Sequence, residues 1–248
     1  MLRLKELNLV DSREALKGIR EGKALINTIN AHSFNVAQKD EPFAEALRNS
    51  DYLIPDGASI IKACKWLKAE SQPKERIAGW DLFEYEMQSL NGRCKKEKVR
   101  KRVMFMGSSE LVLDLIKGTA AFDYPFLEVV TYSPPYKAEF SEEDNQAIIK
   151  AINVANPDLL WIGMTAPKQE KWTYQHWKEL DIHCHVGTIG AVFDFYAGTA
   201  KRAPMWWQDH SLEWLYRLIK EPRRMWRRYV IGNPLFIWNI LKEKYQSC

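Results

Sequence analysis

The chain has few cysteines and pairs none of them. Cys64, Cys94, Cys184 and Cys248 are scattered through 248 residues without a C-x-x-C spacing. That pattern argues against a disulfide framework and suggests reduced thiols in the cytosol. Long apolar runs are also absent. No stretch approaches 18 apolar residues, so no transmembrane helix is expected and any membrane contact is expected to be peripheral. The opening "MLRLKELNLVDSREALKG" has neither the apolar core nor the cleavage site of a secretory leader. Several catalytic signatures are missing too. There is no G-x-S-x-G elbow, no Walker G-x-x-x-x-G-K-[ST], and no D-x-D. These absences argue against a covalent serine nucleophile, a P-loop, and paired carboxylates that hold a divalent ion against a diphosphate.

What remains is an ordinary globular composition, 46% hydrophobic and 27% charged. The length suits one large domain or two small lobes around a sizeable core. Net charge is +4 but unevenly spread. Residues 201–248 hold ten Lys/Arg and four Asp/Glu, a net of +6, which leaves −2 for residues 1–200. Five of the ten tryptophans sit in that basic tail: Trp206, Trp207, Trp214, Trp226 and Trp238. The stretch "LEWLYRLIKEPRRMWRRYVIGNP" alone carries five arginines. A local basic and aromatic segment implies a local anionic partner, which is nucleic acid, a membrane surface or a phosphorylated small molecule.

The apolar pattern alternates between strand-like and helix-like runs. "KALINTIN", "DYLIPDG", "KRVMFMGSS", "PFLEVVTYSPP", "PDLLWIGM" and "HCHVGTIG" read as strands. Between them "DSREALKGIREG", "AHSFNVAQKDEPFAEALRNS" in two pieces around Pro42, "ASIIKACKWLKA", "ELVLDLIKGTAAF" and "SEEDNQAIIKAINVAN" read as helices. Ser141 and Asp144 stand at capping-box spacing. Strands separated by helices indicate an α/β fold with a parallel sheet and helices on both faces. Ligands of such folds bind beyond the C-terminal ends of the strands.

Those ends supply the candidates. "INTINAHS" places Thr28 and Asn30 just past a buried run. "YLIPDGAS" places Asp56 between Pro55 and Gly57, either as a turn aspartate or as a carboxylate available for general-base work. "GMTAPKQE" offers a helix N-terminus that favours an anion, or a plain connection, with Lys168 and Gln169 beside it. His183 and His185 are two apart in "HCHVG", but no further ligands complete a zinc site, so no metal is expected there. Arg217 and Arg224 are seven apart, and Pro222 is expected to break the helix between them. The tail's rings suit either a bilayer interface or packing of the tail onto the rest of the chain.

Six segments, read in order, resemble the WecG/TagA/CpsF family of bacterial glycosyltransferases. They are "NTINAHSFNVAQKD", "SDYLIPDGASI", "ERIAGWDL", "GMTAPKQEKW", "VGTIGAVFDFYAGTAKRAP" and "LEWLYRLIKEPRRMWRRY". The resemblance implies a Rossmann-like core, residues 1–198, and a C-terminal Arg/Trp-rich helical appendage, residues 199–248. It implies inverting, metal-independent transfer from a UDP-sugar to a polyprenyl-diphosphate-linked saccharide at the cytoplasmic membrane face, with no cofactor. By this resemblance Asp56 is the general base, and Thr28 and Asn30 orient the sugar and the base. Arg76 and Gln169 contact substrate, and Asp194 joins the nucleotide pocket. Arg217, Arg224 and Arg227 neutralise the diphosphate. The expected partners are the donor, the lipid-linked acceptor and a membrane surface met through the C-terminal segment; a homo-oligomer is admitted and nucleic acid is not expected. The competing reading is a peripheral membrane or nucleic-acid-binding module without catalysis. Against it, the chain outside the tail is net negative and the strand ends carry a polar set that such a module does not need.

Overall fold

Alternation along the strands sends side chains to two apolar layers, one on each face of the sheet. In β3 (Lys101–Gly107) Val103 and Phe105 enter one layer, while Met104 and Met106 enter the other. In β5 (Leu159–Gly163) Trp161 joins the first layer, and Leu160 and Ile162 the second. This computed structural model describes residues 1–210 and 212–246, without the side chains of residues 208, 209 and 224. Besides β3 and β5 the strands are β1 (Ala24–Ile29), β2 (Tyr52–Pro55), β4 (Leu127–Tyr132) and β6 (His185–Thr188). All pair in parallel, in the order β2-β1-β6-β5-β3-β4.

Helices cover both faces, as the alternating pattern implies. The first layer is closed by α4 (Gly79–Glu97), α5 (Glu110–Asp123) and α8 (Gly190–Tyr196). The second is closed by α6 (Glu142–Ala155) and α7 (Lys168–Gln175). Ser141 and Asp144 form the expected capping box of α6. A third apolar cluster lies at the β1–β2 end of the sheet. It joins Leu2, Leu4, Leu7 and Leu9 to α1 (Ala31–Ala37), α2 (Glu41–Arg48), α3 (Ala58–Leu67) and the C-terminal helix α12 (Gly232–Tyr245).

That helix is fastened at several points. The rings of Phe34 and Phe236 meet edge to face at 5.5 Å. Asn35 Nδ2 donates to the Gly232 carbonyl at 2.7 Å. Buried Glu243 accepts from the Leu4 and Lys5 amides at 3.0 and 2.8 Å, which gives its carboxylate partners where water is absent. Between the core and α12 lie α9 (Met205–Asp209), α10 (Glu213–Lys220), α11 (Pro222–Trp226) and a π-turn at Arg227–Ile231. Pro222 opens α11 and separates it from α10, as its missing N–H requires.

Two differences from the sequence reading concern helices. The "DSREALKGIREG" segment forms only a short 3-10 helix, Glu14–Gly18, because its apolar content supplies just Leu16 and Ile19 to the core. The 19-residue α4 went unread. It buries Leu82, Phe83, Glu86, Met87, Leu90 and Cys94 at helical spacing, with a carboxylate among them. That carboxylate meets His185 Nδ1 at 2.9 Å, so His185 ties β6 to α4 and also meets the Arg20 carbonyl through Nε2.

Trp161 is fully buried, and its ring lies against the backbone of Gly187. A Cβ at Gly187 would stand 2.3 Å from that ring. Gly187→Ala is therefore expected to lower stability by about 1–3 kcal/mol through overpacking. The shift in denaturation midpoint, with secondary structure unchanged by circular dichroism, measures it.

Candidate active site

Two strands of the sheet end side by side and deliver the first polar groups. β1 stops at Ile29, and Asn30 caps α1, its Oδ1 accepting from the His32 and Ser33 amides at 3.0 Å each. The Asn30 backbone N–H completes the capping box by donating to Ser33 Oγ at 2.7 Å. β2 stops at Pro55, and the Asp56 amide donates to the Ile29 carbonyl at 2.8 Å, which locks the two strand ends together. Gly57 then starts α3 with φ at +151°, a conformation glycine adopts without steric cost. The turn thereby holds the Asp56 carboxylate at the sheet edge.

A cavity of about 750 Å³ opens at this point, and the C-terminal segment forms its opposite wall. Its polar end holds Asn30, His32, Asp56, Lys62, Arg76, Glu213, Arg217 and Arg228. The other end is apolar: Ala63 and Trp66 of α3 face Phe236, Ile237, Ile240 and Leu241 of α12. Arg76 Nη2 donates to Glu213 at 2.8 Å, and its Nε reaches Asp56 at 3.4 Å. Burial pushes the Asp56 carboxyl above the usual carboxylate range; Arg76 and Arg228 oppose that shift, and Glu213 adds to it. Burial, with the Arg228 charge, lowers His32 to about 4, so its imidazole is neutral at pH 7. Among the described residues the lining has four Lys/Arg side chains against two carboxylates, which makes it net positive. A net positive lining suits an anion such as a diphosphate.

Of the residues singled out from sequence, Asn30, Asp56, Arg76 and Arg217 come together here. The guanidinium of Arg217 also lies 5.8 Å from the Phe195 ring. Thr28, Gln169, Asp194 and Arg227 do not line this cavity. Thr28 is half-buried within β1, level with Ile54. Gln169 is buried: its Oε1 accepts from the Met164 and Gly190 amides at 3.1 and 3.2 Å, and its Nε2 donates to Glu170. It joins the ends of β5 and β6 from within. Lys168 turns to the Lys137 carbonyl and the Phe140 ring. Asp194 is exposed on α8. Arg227 points outward beside Trp226, and its neighbour Arg228 lines the cavity instead. The Arg224 side chain lies outside the described residues. Sequence reasoning missed His32, Lys62, Glu213 and Arg228. All four stand inside the segments described above, but no spacing rule marks any of them as facing Asp56. Among the described residues no group of three His, Cys, Asp or Glu side chains is arranged to hold a metal ion.

The tail's rings divide between two roles. Trp207 packs with Tyr216 at 5.7 Å and Trp214 with Tyr229 at 5.8 Å, joining the short helices. Trp206 and Trp238 are more than half exposed, as are Ile219, Val230, Ile231 and Ile237. No described helix is long and apolar enough to cross a membrane.

Comparison with known proteins bears on this arrangement. Residues 2–247 match the model of the glycosyl transferase WecG/TagA/CpsF family. The N-acetylglucosaminyldiphosphoundecaprenol N-acetyl-beta-D-mannosaminyltransferase of Bacillus subtilis (strain 168) is 31% identical over 89% of this chain and 80% of its own length. The protein of the same name from Bacillus spizizenii is 30% identical over 90% and 81%. That of Staphylococcus aureus (strain MW2) is 26% identical over 88% and 80%. These relatives are transferases, which removes the reading of a binding module without catalysis.

The placement of His32 beside Arg228 has a measurable consequence. Its imidazole should not titrate by NMR until well below pH 6.5, with a midpoint near 4. Arg228→Gln should raise that midpoint, because one cause of the shift is removed. The unfolded chain binds this proton near pH 6.5 and the folded one near 4, so the His32 contribution favours folding above 6.5 and is lost as pH falls from 6.5 towards 4.

Proposed function

The chain belongs to the WecG/TagA/CpsF glycosyl transferase family, and from that premise we propose that it moves N-acetylmannosamine from its UDP-sugar to a polyprenyl-diphosphate-linked N-acetylglucosamine. The observation that carries this reading is the two-ended cavity. A lipid-linked acceptor has a saccharide, a diphosphate and an isoprenoid chain in that order. The cavity has a carboxylate, a set of cations and an apolar slot between α3 and α12 within one enclosure. The sugar-bearing end of the acceptor belongs beside Asp56, and the first isoprene units belong against Trp66, Ile237, Ile240 and Leu241.

The chemistry follows from those groups. Asp56 takes the proton from the acceptor hydroxyl as its oxygen attacks the anomeric carbon. The bond to the donor phosphate breaks on the opposite face, and its electron pair leaves with UDP. One carboxylate suffices for such an inverting displacement, and the relatives' names specify a beta product. Charge grows on the leaving diphosphate, and Arg217 and Arg228 stabilise it with Lys62. Guanidinium forks match phosphate oxygens two at a time, so they can serve where other transferases use a divalent cation. On this reading residues 199–248 close the site over the core of residues 1–198. The outward rings of Trp206 and Trp238, with Ile219, Val230 and Ile231, suit the interfacial zone of a bilayer, where the acceptor's lipid is held.

The assay uses UDP-N-acetylmannosamine and N-acetylglucosaminyl-diphospholipid with a chelator present. Turnover is expected to continue in chelator. Asp56→Asn should lower kcat by about 10²–10⁴-fold while UDP binding persists in calorimetry. Loss of folding in that variant would instead leave Asp56 as a structural turn residue. Turnover should fall as pH drops through the Asp56 midpoint, which lies above the ordinary carboxylate range, because only the ionised base accepts a proton.

A second comparison tests the clamp. Arg228→Ala is expected to lower kcat/KM by at least about tenfold, the scale of a lost charge-assisted contact to phosphate. Arg227→Ala, at an outward-facing position, should cost less in the same assay. Equal losses would mean that the π-turn does not sort the two arginines as described.

A further inference from the structure

Arg76 stands between two carboxylates and divides itself unequally between them. Its Nη2 donates to Glu213 at 2.8 Å, whereas its Nε reaches Asp56 at the longer 3.4 Å. Glu213 opens α10, and its side chain is only 14% exposed, against 30% for Asp56. The closer and better-shielded pair is therefore the one made with the C-terminal segment. This matters for a general base. A carboxylate drawn into a tight pair with a guanidinium loses basicity, by about 1–3 pKa units for an opposite charge within roughly 4–6 Å. Arg76 already hydrogen-bonds Asp56 through its Nε, so it is placed to make such a pair.

The groups around Asp56 come from several elements. Arg76 lies in the segment ahead of α4, Glu213 and Arg217 on α10, and Arg228 in the π-turn. Lys62 comes from α3 and His32 from α1, with His210 near the end of α9. Of these groups Arg76 and Arg228 lower the basicity of Asp56. Among the described residues Glu213 is the other carboxylate that lines the cavity, and its charge acts in the opposite sense.

Resting on the transfer reading above, we propose that Glu213 is a positioning residue for the reaction: it takes up the Arg76 fork, keeps that guanidinium from closing onto Asp56, and so preserves Asp56 as a proton acceptor when the C-terminal segment is docked. Glu213 acts through Arg76 and through its own charge, not on the reacting atoms. The same contact makes the base depend on the segment that carries the diphosphate-binding arginines. Base and clamp are then assembled in one event.

The test is a pH–rate profile of the full chain with UDP-N-acetylmannosamine and N-acetylglucosaminyl-diphospholipid. Glu213→Gln keeps the shape of the side chain and removes its charge. The acid limb of kcat should move to lower pH by about one unit, and the plateau should fall severalfold, because a weaker base is ionised earlier and accepts a proton less well. Glu213→Asp restores the charge and should return the limb towards its original position. An acid limb that stays in place in Glu213→Gln, or moves to higher pH, overturns the proposal, even if kcat falls. Should the Gln variant fail to fold, Glu213→Ala decides by the same reading: its acid limb should also move to lower pH, and a limb that stays in place overturns the idea. Absence of turnover in the unsubstituted protein would overturn the transfer reading itself, a result distinct from turnover with an unmoved limb.

Discussion

The site depends on all six strands running the same way. A parallel sheet buried on both faces places every strand's C-terminal end along one edge, and the loops that leave those ends are the parts of the core free to carry polar chemistry. Asn30 and Asp56 are neighbours for this reason. They lie 26 positions apart in sequence, yet β1 and β2 pair in register from Ile26–Tyr52 to Ile29–Pro55, and the Asp56 amide bonds the Ile29 carbonyl. Gln169 and Gly190 are brought together in the same manner at the ends of β5 and β6. There the contact is buried and ties the two loops to each other.

An open edge does not make an enclosure. The missing wall comes from the last 48 residues, and it arrives by two unlike routes. Helix α12 is held by apolar packing and by buried polar contacts, Phe236 on Phe34 and Glu243 on the N-terminal backbone. The short helices before it have no buried side chain in α10, and they are tied to the core at the cavity by the Arg76–Glu213 pair. Apolar burial contributes stability in proportion to area, whereas a single partly buried ion pair contributes little and is easily exchanged. The segment that bears Arg217 and Arg228 is thus the less firmly held part of the wall. On the proposed transfer, that suits a site which admits a large amphipathic acceptor and then closes on the donor's departing diphosphate.

Much of the architecture was legible in the residues. Short apolar runs in "KRVMFMG" and "DLLWIG" marked strands, and the Ser141–Asp144 spacing marked the start of α6. Pro222 marked the break between α10 and α11 through its chemistry alone. The longest helix, α4, was harder to read because it buries Glu86 on its apolar face, and only the distant His185 explains why a carboxylate is acceptable there. Among the arginines, sequence selected Arg227, whereas the π-turn directs Arg228 to the cavity. A turn wider than the α-helix shifts which residue faces inward, and no pattern of residue types announces that shift.

By itself, then, the sequence determined the α/β class, the polar strand ends and the basic, ring-rich tail, because these follow from local periodicity and composition. Tertiary structure alone decided which of those groups meet. Glu213 stands 157 positions from Asp56 in sequence, yet both reach the same guanidinium. Whether Asp56 is a turn aspartate or a half-buried carboxylate of raised basicity depends on desolvation and on the balance of neighbouring charges. Both are properties of distances through space, and the order of residues along the chain does not contain them until the C-terminal segment folds back across the sheet edge.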